Sequence, residues 1–168
     1  MNAEPTKFYG YYTSPLCVIN ITASQNGLTS LTFAKEISSE EYLNDIIKDC
    51  KKQLEEYFSG NRTYFNIPID LGCTDFQTRI LEYVKTIPYG STTSYSTIAQ
   101  LLLMPKASRA IGMANSKNKI LIIIPCHRII GQSGKLVGYA GGLHRKHWLL
   151  EHEAKVCGVT KDQLMLQF

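Results

Sequence analysis

A cysteine, a histidine and an arginine stand side by side at Cys126, His127 and Arg128, just after the apolar run at residues 120–124. Five apolar residues in a row predict a buried strand, and Pro125, which has no backbone N–H, predicts that the strand stops at the cysteine. A side chain at the end of a buried strand is held rigidly and can still face a cleft. The triplet therefore indicates a reactive site.

The composition is that of an ordinary soluble chain: 168 residues, 44% of them apolar, are enough for one large domain or two small ones. No apolar run approaches the roughly 18 residues that a membrane span needs, and the first residues show no signal pattern. The five cysteines are widely spaced without a CxxC pair, which predicts reduced thiols and no zinc knuckle. We therefore expect a cytoplasmic protein with no membrane contact.

The two halves of the chain differ in charge. Residues 1–72 contain 6 Lys+Arg and 9 Asp+Glu, a net charge of −3, whereas residues 73–168 contain 12 and 5, a net charge of +7. Turn residues around Leu71 predict a domain boundary at this point. A solvated basic face is one explanation of the asymmetry, but its size favours contact with a polyanion such as nucleic acid.

The acidic half has the pattern of a small sheet covered by a helix. Alternating apolar residues on both sides of the Asn-Gly pair at positions 26–27 predict a β-hairpin. Ser38 followed by Glu41 resembles a capping box, and apolar residues then follow helical spacing from Leu43 until Gly60. Nothing in this half forms a catalytic constellation.

The basic half has the pattern of several short helices. Thr74 can cap a helix that must end before Pro88, and two short helices are predicted at residues 95–102 and 107–116. Two such helices around a tight break are typical of a helix-turn-helix, although helical hairpins also occur in proteins that never touch DNA. Arg109 is the one long cation among small residues in the second helix.

From about Asp75 to Glu153 the chain resembles the O6-alkylguanine-DNA alkyltransferases, also called methylated-DNA–protein-cysteine methyltransferases. The matching pieces keep the family's order and spacing: FQ, IPYGSTTSY, RAIGMANSKNKILIIIPCHRII and GYAGGLHRKHWLLEHE. PCHR is the most specific of them. The resemblance implies an α/β fold in which a small N-terminal domain of sheet plus helix, residues 1–72, precedes a mostly helical C-terminal domain, residues 73–168. The second domain is expected to hold a winged-helix-like helix-turn-helix.

The resemblance further implies that Cys126 takes an alkyl group from O6 of guanine, or less readily from O4 of thymine, in double-stranded DNA. Displacement at an alkyl carbon needs a soft anion, and a cysteine thiolate is such a nucleophile. The product is a thioether with no carbonyl for water to attack, so the protein is spent after one turnover. No cofactor and no metal are expected, and a monomer suffices.

By the same resemblance, His127 polarises a water next to Cys126 and is oriented by Glu153. Adjacent residues of an extended segment point to opposite sides, so a turn or a bridging water must connect His127 to the thiol. Tyr95 is expected near the target phosphate and base, where its hydroxyl can donate to the guanine oxygen.

The second short helix is the expected DNA-binding element. Arg109 resembles the family's arginine finger, which fills the gap left when the target base is turned out of the duplex. The small residues Ala107 and Ala110, with Ser108, allow this helix to approach the minor groove closely.

Five more residues are expected to form or support the pocket: Asn118, Arg128, Ile129, Tyr139 and Ala140. Asn118 holds a turn, Arg128 supports the surrounding structure, and the segment GYAGG, which contains Tyr139, forms the flexible wall of the pocket. Backbone carbonyls of Cys126 and Ile129 are expected to accept from the exocyclic amine of guanine. Many relatives have a hydroxyl residue where this chain has Ala140, so only the backbone N–H is left there to meet the guanine oxygen.

Two other classes of function remain to be compared with this one. A cysteine hydrolase would use Cys126, His127 and Glu153 for turnover, but it gives no role to Arg109 and the basic helices. A noncatalytic sensor of alkylated DNA would need no cysteine, and this chain has one. A regulator that senses its own methylation is disfavoured because we expect no metal-binding domain before residue 1.

Overall fold

The computed structural model describes residues 7–159, which form two compact units divided between Gly72 and Cys73. The first unit contains a three-stranded antiparallel sheet and one helix, and the second contains four α-helices and a short two-stranded parallel sheet. This confirms the predicted α/β fold with a mostly helical second half. Among the described residues, no helix combines the length and apolar character that crossing a membrane requires.

The sheet of the first unit consists of β1 (Phe8–Thr13), β2 (Val18–Ala23) and β3 (Leu28–Ala34), in that order. The predicted hairpin is confirmed as β2 and β3, in which the buried residues Ile21 and Leu31 face each other. The strand β1 was not predicted, because its mostly aromatic sequence FYGYYT has no apolar–polar alternation.

Helix α1 (Asp45–Phe58) begins later than the predicted capping box implies. Asn44 caps it, with Oδ1 accepting from the third backbone N–H of the helix at 3.0 Å. The prediction that Ser38 and Glu41 form the cap is therefore wrong. The Glu41 carboxylate instead accepts from the backbone N–H of Tyr11 at 2.7 Å, a contact between residues 30 positions apart that local pattern does not reveal.

The helices of the second unit are α2 (Asp75–Lys85), α3 (Tyr95–Leu101), α4 (Ser108–Asn115) and α5 (Leu143–Val156). Thr74 caps α2 as predicted, in a capping box with Gln77. Helices α3 and α4 pack against each other as the two helices of the predicted helix-turn-helix. The break between them includes Leu103, whose φ of 58° is left-handed and ends the first helix.

The prediction of a strand at residues 120–124 is wrong. These residues are buried, but residue 120 forms only an isolated bridge, residues 121–124 form a turn and a bend, and Ile122 has a left-handed φ of 71°. Asn118 closes the turns by accepting from the N–H of Ile120 at 2.9 Å and donating to the carbonyl of Ile124 at 3.0 Å. An apolar run shows that a segment is buried, but its hydrogen-bond partners decide whether it is a strand.

The segment after Pro125 is a single 3-10 turn at Cys126–Arg128, hereafter the cysteine turn. It leads into β5 (Ile129–Ile130), which pairs in parallel with β4 (Thr93–Ser94). Because β4 immediately precedes α3, this short ladder holds the cysteine turn close to the start of the helix-turn-helix.

Candidate active site and nucleic-acid interface

A cavity of about 410 Å³ opens beside Cys126. Three segments join the cysteine in lining it: the start of α3, the second half of α4, and the loop before α5. The lining residues are Tyr95, Gly112, Asn115, Ser116, Cys126, Val137, Gly138, Tyr139 and Ala140. The fold therefore brings the predicted nucleophile together with Tyr95, Tyr139 and Ala140.

Cys126 is buried, with only 4% of the residue exposed. Burial raises its pKa to about 11, against the opposing effects of a hydrogen bond from Asn118 Nδ2, 3.1 Å from Sγ, and of the charge on Lys146. The thiol is thus protonated at neutral pH. Formation of the thiolate requires a base.

His127 provides a base whose tautomer is determined by Glu153. His127 Nε2 lies 2.7 Å from Glu153 Oε1, and both side chains are fully buried. Burial lowers the pKa of His127, so the ring is neutral. Burial acts to raise the pKa of Glu153, but the contacts with His127 and Arg128 outweigh it and hold this pKa well below its usual range. The carboxylate therefore accepts the proton on Nε2, and Nδ1 keeps a lone pair.

The basic nitrogen Nδ1 of His127 is buried and has no hydrogen-bond partner within residues 7–159. No direct hydrogen bond joins Cys126 to His127 among the described contacts, in line with the expectation that adjacency does not bring the two side chains into contact. A bridging water can connect Nδ1 to Sγ.

Arg128 completes the environment of Glu153. Its Nε and Nη2 donate to the two carboxylate oxygens at 2.9 Å each, and its Nη1 donates to the carbonyl of Ile87 at 2.6 Å. Gly90 donates its backbone N–H to the same carboxylate at 3.1 Å. Glu153 thus accepts hydrogen bonds from His127, Arg128 and Gly90, which compensates for its burial.

Lys146 on α5 is a buried residue that the sequence analysis missed. Its Nζ donates to the carbonyls of Ile129 and Val137 at 2.5 and 2.6 Å, and so joins the cysteine turn to the loop that lines the cavity. Burial lowers its pKa to about 8. A signal was present, because Lys146 precedes Glu153 by seven residues, about two helical turns, and so shares its buried face.

Asn115 on α4 was also missed. Its Nδ2 donates to the hydroxyl of Tyr95 at 2.9 Å, and burial raises the pKa of this tyrosine, which therefore keeps its proton. The signal was a polar residue within the buried stripe formed by Ile111, Ala114 and Asn115.

The remaining predicted residues fall into two places. Asn118, Arg128 and Ile129 are buried around the cysteine turn, where they contact the thiol, Glu153 and Lys146, respectively. The predicted DNA-binding residues lie together at the start of α4, with Arg109 and Ala110 exposed and Ala107 and Ser108 half-buried.

Both units of the chain match domains of one family. Residues 7–71 match the ribonuclease-like domain of 6-O-methylguanine DNA methyltransferase, and residues 75–155 match its DNA binding domain. A methylated-DNA–protein-cysteine methyltransferase of Methanosarcina acetivorans is 40% identical over 152 residues, which cover 87% of this chain and 97% of that protein. Another, from Mycobacterium leprae, is 52% identical over 110 residues, which cover 66% of this chain and 67% of that protein.

The fold is similar to the crystal structure of the Mycobacterium tuberculosis O6-methylguanine methyltransferase, with a TM-score of 0.81 and 37% identity over 96% of this chain and 99% of that one. These matches confirm the resemblance seen in the sequence. The chain therefore belongs to the 6-O-methylguanine DNA methyltransferase family, whose members transfer an alkyl group from DNA to a cysteine of their own.

Proposed function

We propose that Cys126 is the acceptor cysteine, and that it takes alkyl groups from O6 of guanine, and less readily from O4 of thymine, in double-stranded DNA. The observation that carries this proposal is the position of the Cys126 thiol at a cavity of about 410 Å³, next to a buried histidine with a free basic nitrogen. Support for the DNA partner comes from a structure of the Mycobacterium tuberculosis relative in complex with DNA, 40% identical to this chain with a TM-score of 0.78.

The proposed reaction starts with loss of the thiol proton. A bridging water gives a proton to Nδ1 of His127 and takes the proton of Cys126, and the Glu153 carboxylate stabilises the resulting imidazolium. The thiolate attacks the alkyl carbon, so that the S–C bond forms as the C–O6 bond breaks. The bonding electrons leave with guanine, and the proton held by His127 returns to the base through water.

Donors close to the departing base assist this step. The Tyr95 hydroxyl lines the cavity and keeps its proton, so it can donate to the guanine as negative charge develops there. The product cysteine is a thioether that water does not cleave, and the buried site offers it no other acceptor. Each protein molecule therefore reacts once.

The helix-turn-helix is the proposed DNA interface. O6 of guanine lies inside the duplex, so the base must be turned out to reach Cys126. Arg109 projects from the exposed face of α4, next to the small residue Ala110, and α4 also supplies Gly112 and Asn115 to the cavity wall. In this proposal α4 lies in the minor groove and Arg109 takes the place of the extruded base, with Ala107 and Ser108 close to the backbone.

The decisive experiment is the intact mass of the protein after incubation with a duplex that contains O6-methylguanine. We expect the mass to rise by one methyl group, on the peptide that contains Cys126, with no further turnover. Cys126→Ala should keep DNA binding and lose all transfer, because phosphate contacts and the nucleophile belong to different residues. A methyl group on another residue, or transfer by Cys126→Ala, would contradict the proposal.

The same experiment separates the other two classes of function. A hydrolase would release product repeatedly and regain its original mass, and a sensor would bind the duplex without any change in mass. We further propose that the protein acts in the cytoplasm as a monomer, since a protein consumed in one reaction needs no second copy. Light scattering during gel filtration tests the monomer.

A further inference from the structure

Asn115 places a buried amide in the wall of the cavity. Only 6% of the residue is exposed, and its Nδ2 donates to the hydroxyl of Tyr95 at 2.9 Å. Its Oδ1 is also buried, and within the part of the chain that the structure describes it accepts no hydrogen bond. A buried carbonyl oxygen without a donor is unfavourable. Because Asn115 lines the cavity, a molecule bound there can supply the donor.

The contact with Asn115 also directs the proton of Tyr95. A tyrosine hydroxyl has one proton to donate, and here its oxygen already accepts from Nδ2. The O–H bond must therefore point away from Nδ2, and Tyr95 lines the same cavity. The two residues thus offer neighbouring groups to a ligand: a donor on Tyr95 and an acceptor on Asn115.

This pair matches one edge of guanine. The minor-groove edge of guanine carries the acceptor N3 next to the donor amine N2, whereas thymine has only the acceptor O2 on that edge. N3 lies across the six-membered ring from the carbon that bears O6. When the alkyl group faces Cys126, the N3 edge is therefore left for other walls of the cavity.

We propose that Asn115 is a specificity-determining residue that, with Tyr95, recognises the minor-groove edge of the extruded guanine. Tyr95 donates to N3, in place of the guanine oxygen expected from the sequence, and Asn115 Oδ1 accepts one proton of the N2 amine. Asn115 therefore favours alkylguanine over alkylthymine. This inference rests on the proposed function, since it describes the same cavity and the same nucleophile.

The two backbone carbonyls expected to accept from the guanine amine, those of Cys126 and Ile129, already accept other hydrogen bonds. The carbonyl of Cys126 accepts from the N–H of Ile129, and the carbonyl of Ile129 accepts from Lys146 Nζ. Each has one lone pair left, whereas both lone pairs of Asn115 Oδ1 are available. One amine proton can go to Asn115 and the other to a backbone carbonyl.

The test compares two otherwise identical duplexes, one with O6-methylguanine and one with O6-methylhypoxanthine, which lacks the 2-amino group. The measurement is the single-turnover rate of methyl transfer to Cys126. We expect the wild-type protein to react about 30-fold more slowly without the amine, which is the effect of two hydrogen bonds, one to Asn115 and one to a backbone carbonyl. Asn115→Leu, which removes both polar atoms at similar volume, should reduce this ratio to about fivefold, the effect of the remaining bond to the carbonyl.

The matched control is Ser116→Ala, in the neighbouring residue of the cavity wall, whose hydroxyl donates to the carbonyl of Met113 at 2.7 Å. It should keep the wild-type dependence on the amine. Asn115→Leu should also narrow the preference for O6-methylguanine over O4-methylthymine by about fivefold. An amine dependence that stays at the wild-type value in Asn115→Leu would overturn the inference.

Asn115→Asp provides a second test that preserves the shape of the side chain. Its carboxylate would draw the Tyr95 proton away from the cavity, so transfer from O6-methylguanine should slow. A wild-type rate in this variant would mean that Tyr95 donates to Asn115, and would overturn the inference.

Failure of the proposed function is a separate outcome: the wild-type protein would then transfer methyl groups from neither duplex. Equal rates from both duplexes in the wild-type protein would reject only the role of Asn115.

Discussion

Arg128 binds Glu153 through two parallel hydrogen bonds, Nε to Oε2 and Nη2 to Oε1, each 2.9 Å long, with Glu153 fully buried and Arg128 nearly so. The same carboxylate orients His127. Glu153 thus contacts two side chains with different consequences: Arg128 compensates its charge, and the hydrogen bond to His127 sets the tautomer of the proposed base. A substitution at Glu153 must affect both.

Glu153→Gln should destabilise the protein by about 3–5 kcal/mol at neutral pH, because it leaves the buried Arg128 without a counter-charge. The pKa of Glu153 is lowered in the folded state, so its stabilising effect is present above the pKa of an unfolded carboxyl and is lost as pH falls below it. The difference between wild type and variant in urea denaturation should therefore shrink on acidification to below about pH 4.

Glu151→Gln is the control on the same helix, since Glu151 forms only a partly exposed pair with His147 at 3.3 Å. Its effect should stay within about 0.5 kcal/mol. Equal losses of unfolding free energy in the two variants would show that the buried Arg128–Glu153 pair stabilises the protein no more than an exposed pair does.

His127→Gln should slow the reaction with free O6-benzylguanine by about 10²-fold or more at pH 7, because a general base is lost. The thiol pKa of about 11 sets the pH dependence: as the pH rises toward that value, more thiolate forms without a base. The loss should therefore shrink between about pH 7 and about pH 9.5. A loss that is constant over this range would mean that His127 acts only on the structure.

Lys146→Met should raise the pKa of the Cys126 thiol, because the charge on Lys146 acts to lower it. The measurement is the rate at which iodoacetamide alkylates the Cys126 peptide, followed by mass spectrometry. The pKa of Lys146 is about 8, so its charge helps below this pH and fades above it. The wild type should react faster than the variant below about pH 8, and the difference should decline at higher pH.

Lys155→Met, at an exposed position of the same helix, is the control and should leave the thiol unaffected. An unchanged pH profile in Lys146→Met, with a normal melting temperature, would restrict Lys146 to holding the carbonyls of Ile129 and Val137.

Arg109→Ala should lower the rate on duplex O6-methylguanine by about tenfold or more while sparing free O6-benzylguanine. The free base needs no extrusion, whereas the base in a duplex does. Lys117→Ala removes another exposed cation, just after α4, and should have a smaller effect on the duplex rate. Equal losses of Arg109→Ala on both substrates would point to a damaged cavity.

Local pattern was sufficient for several elements, among them the helix of the proposed DNA-binding face. Thr74 with Gln77 caps α2, and the small residues on both sides of Arg109 lie on a short helix as predicted. The Asn-Gly pair at positions 26–27 marks the hairpin. These features depend on residues within about one helical turn or one β-turn of each other, so they can be read along the chain.

Competition between distant partners decided other features. Glu41 could cap a helix, but the backbone of Tyr11 takes its carboxylate and Asn44 caps α1 instead. Residues 120–124 could form a strand by composition, but none of the strands within residues 7–159 includes them, and Asn118 instead bonds the N–H of Ile120 and the carbonyl of Ile124. The apolar composition of residues 120–124 correctly predicted their burial but not their hydrogen-bond partners.

The sequence by itself determined the family and indicated the proposed nucleophile and its histidine, because these lie in contiguous motifs such as PCHR. Only the tertiary structure decided how the buried polar groups are paired. Arg128 and Glu153 are 25 residues apart, and Asn115 and Tyr95 are 20 apart. The physical reason is that a polar group removed from water needs a partner, and the partner is chosen by which segments pack together, not by neighbours along the chain.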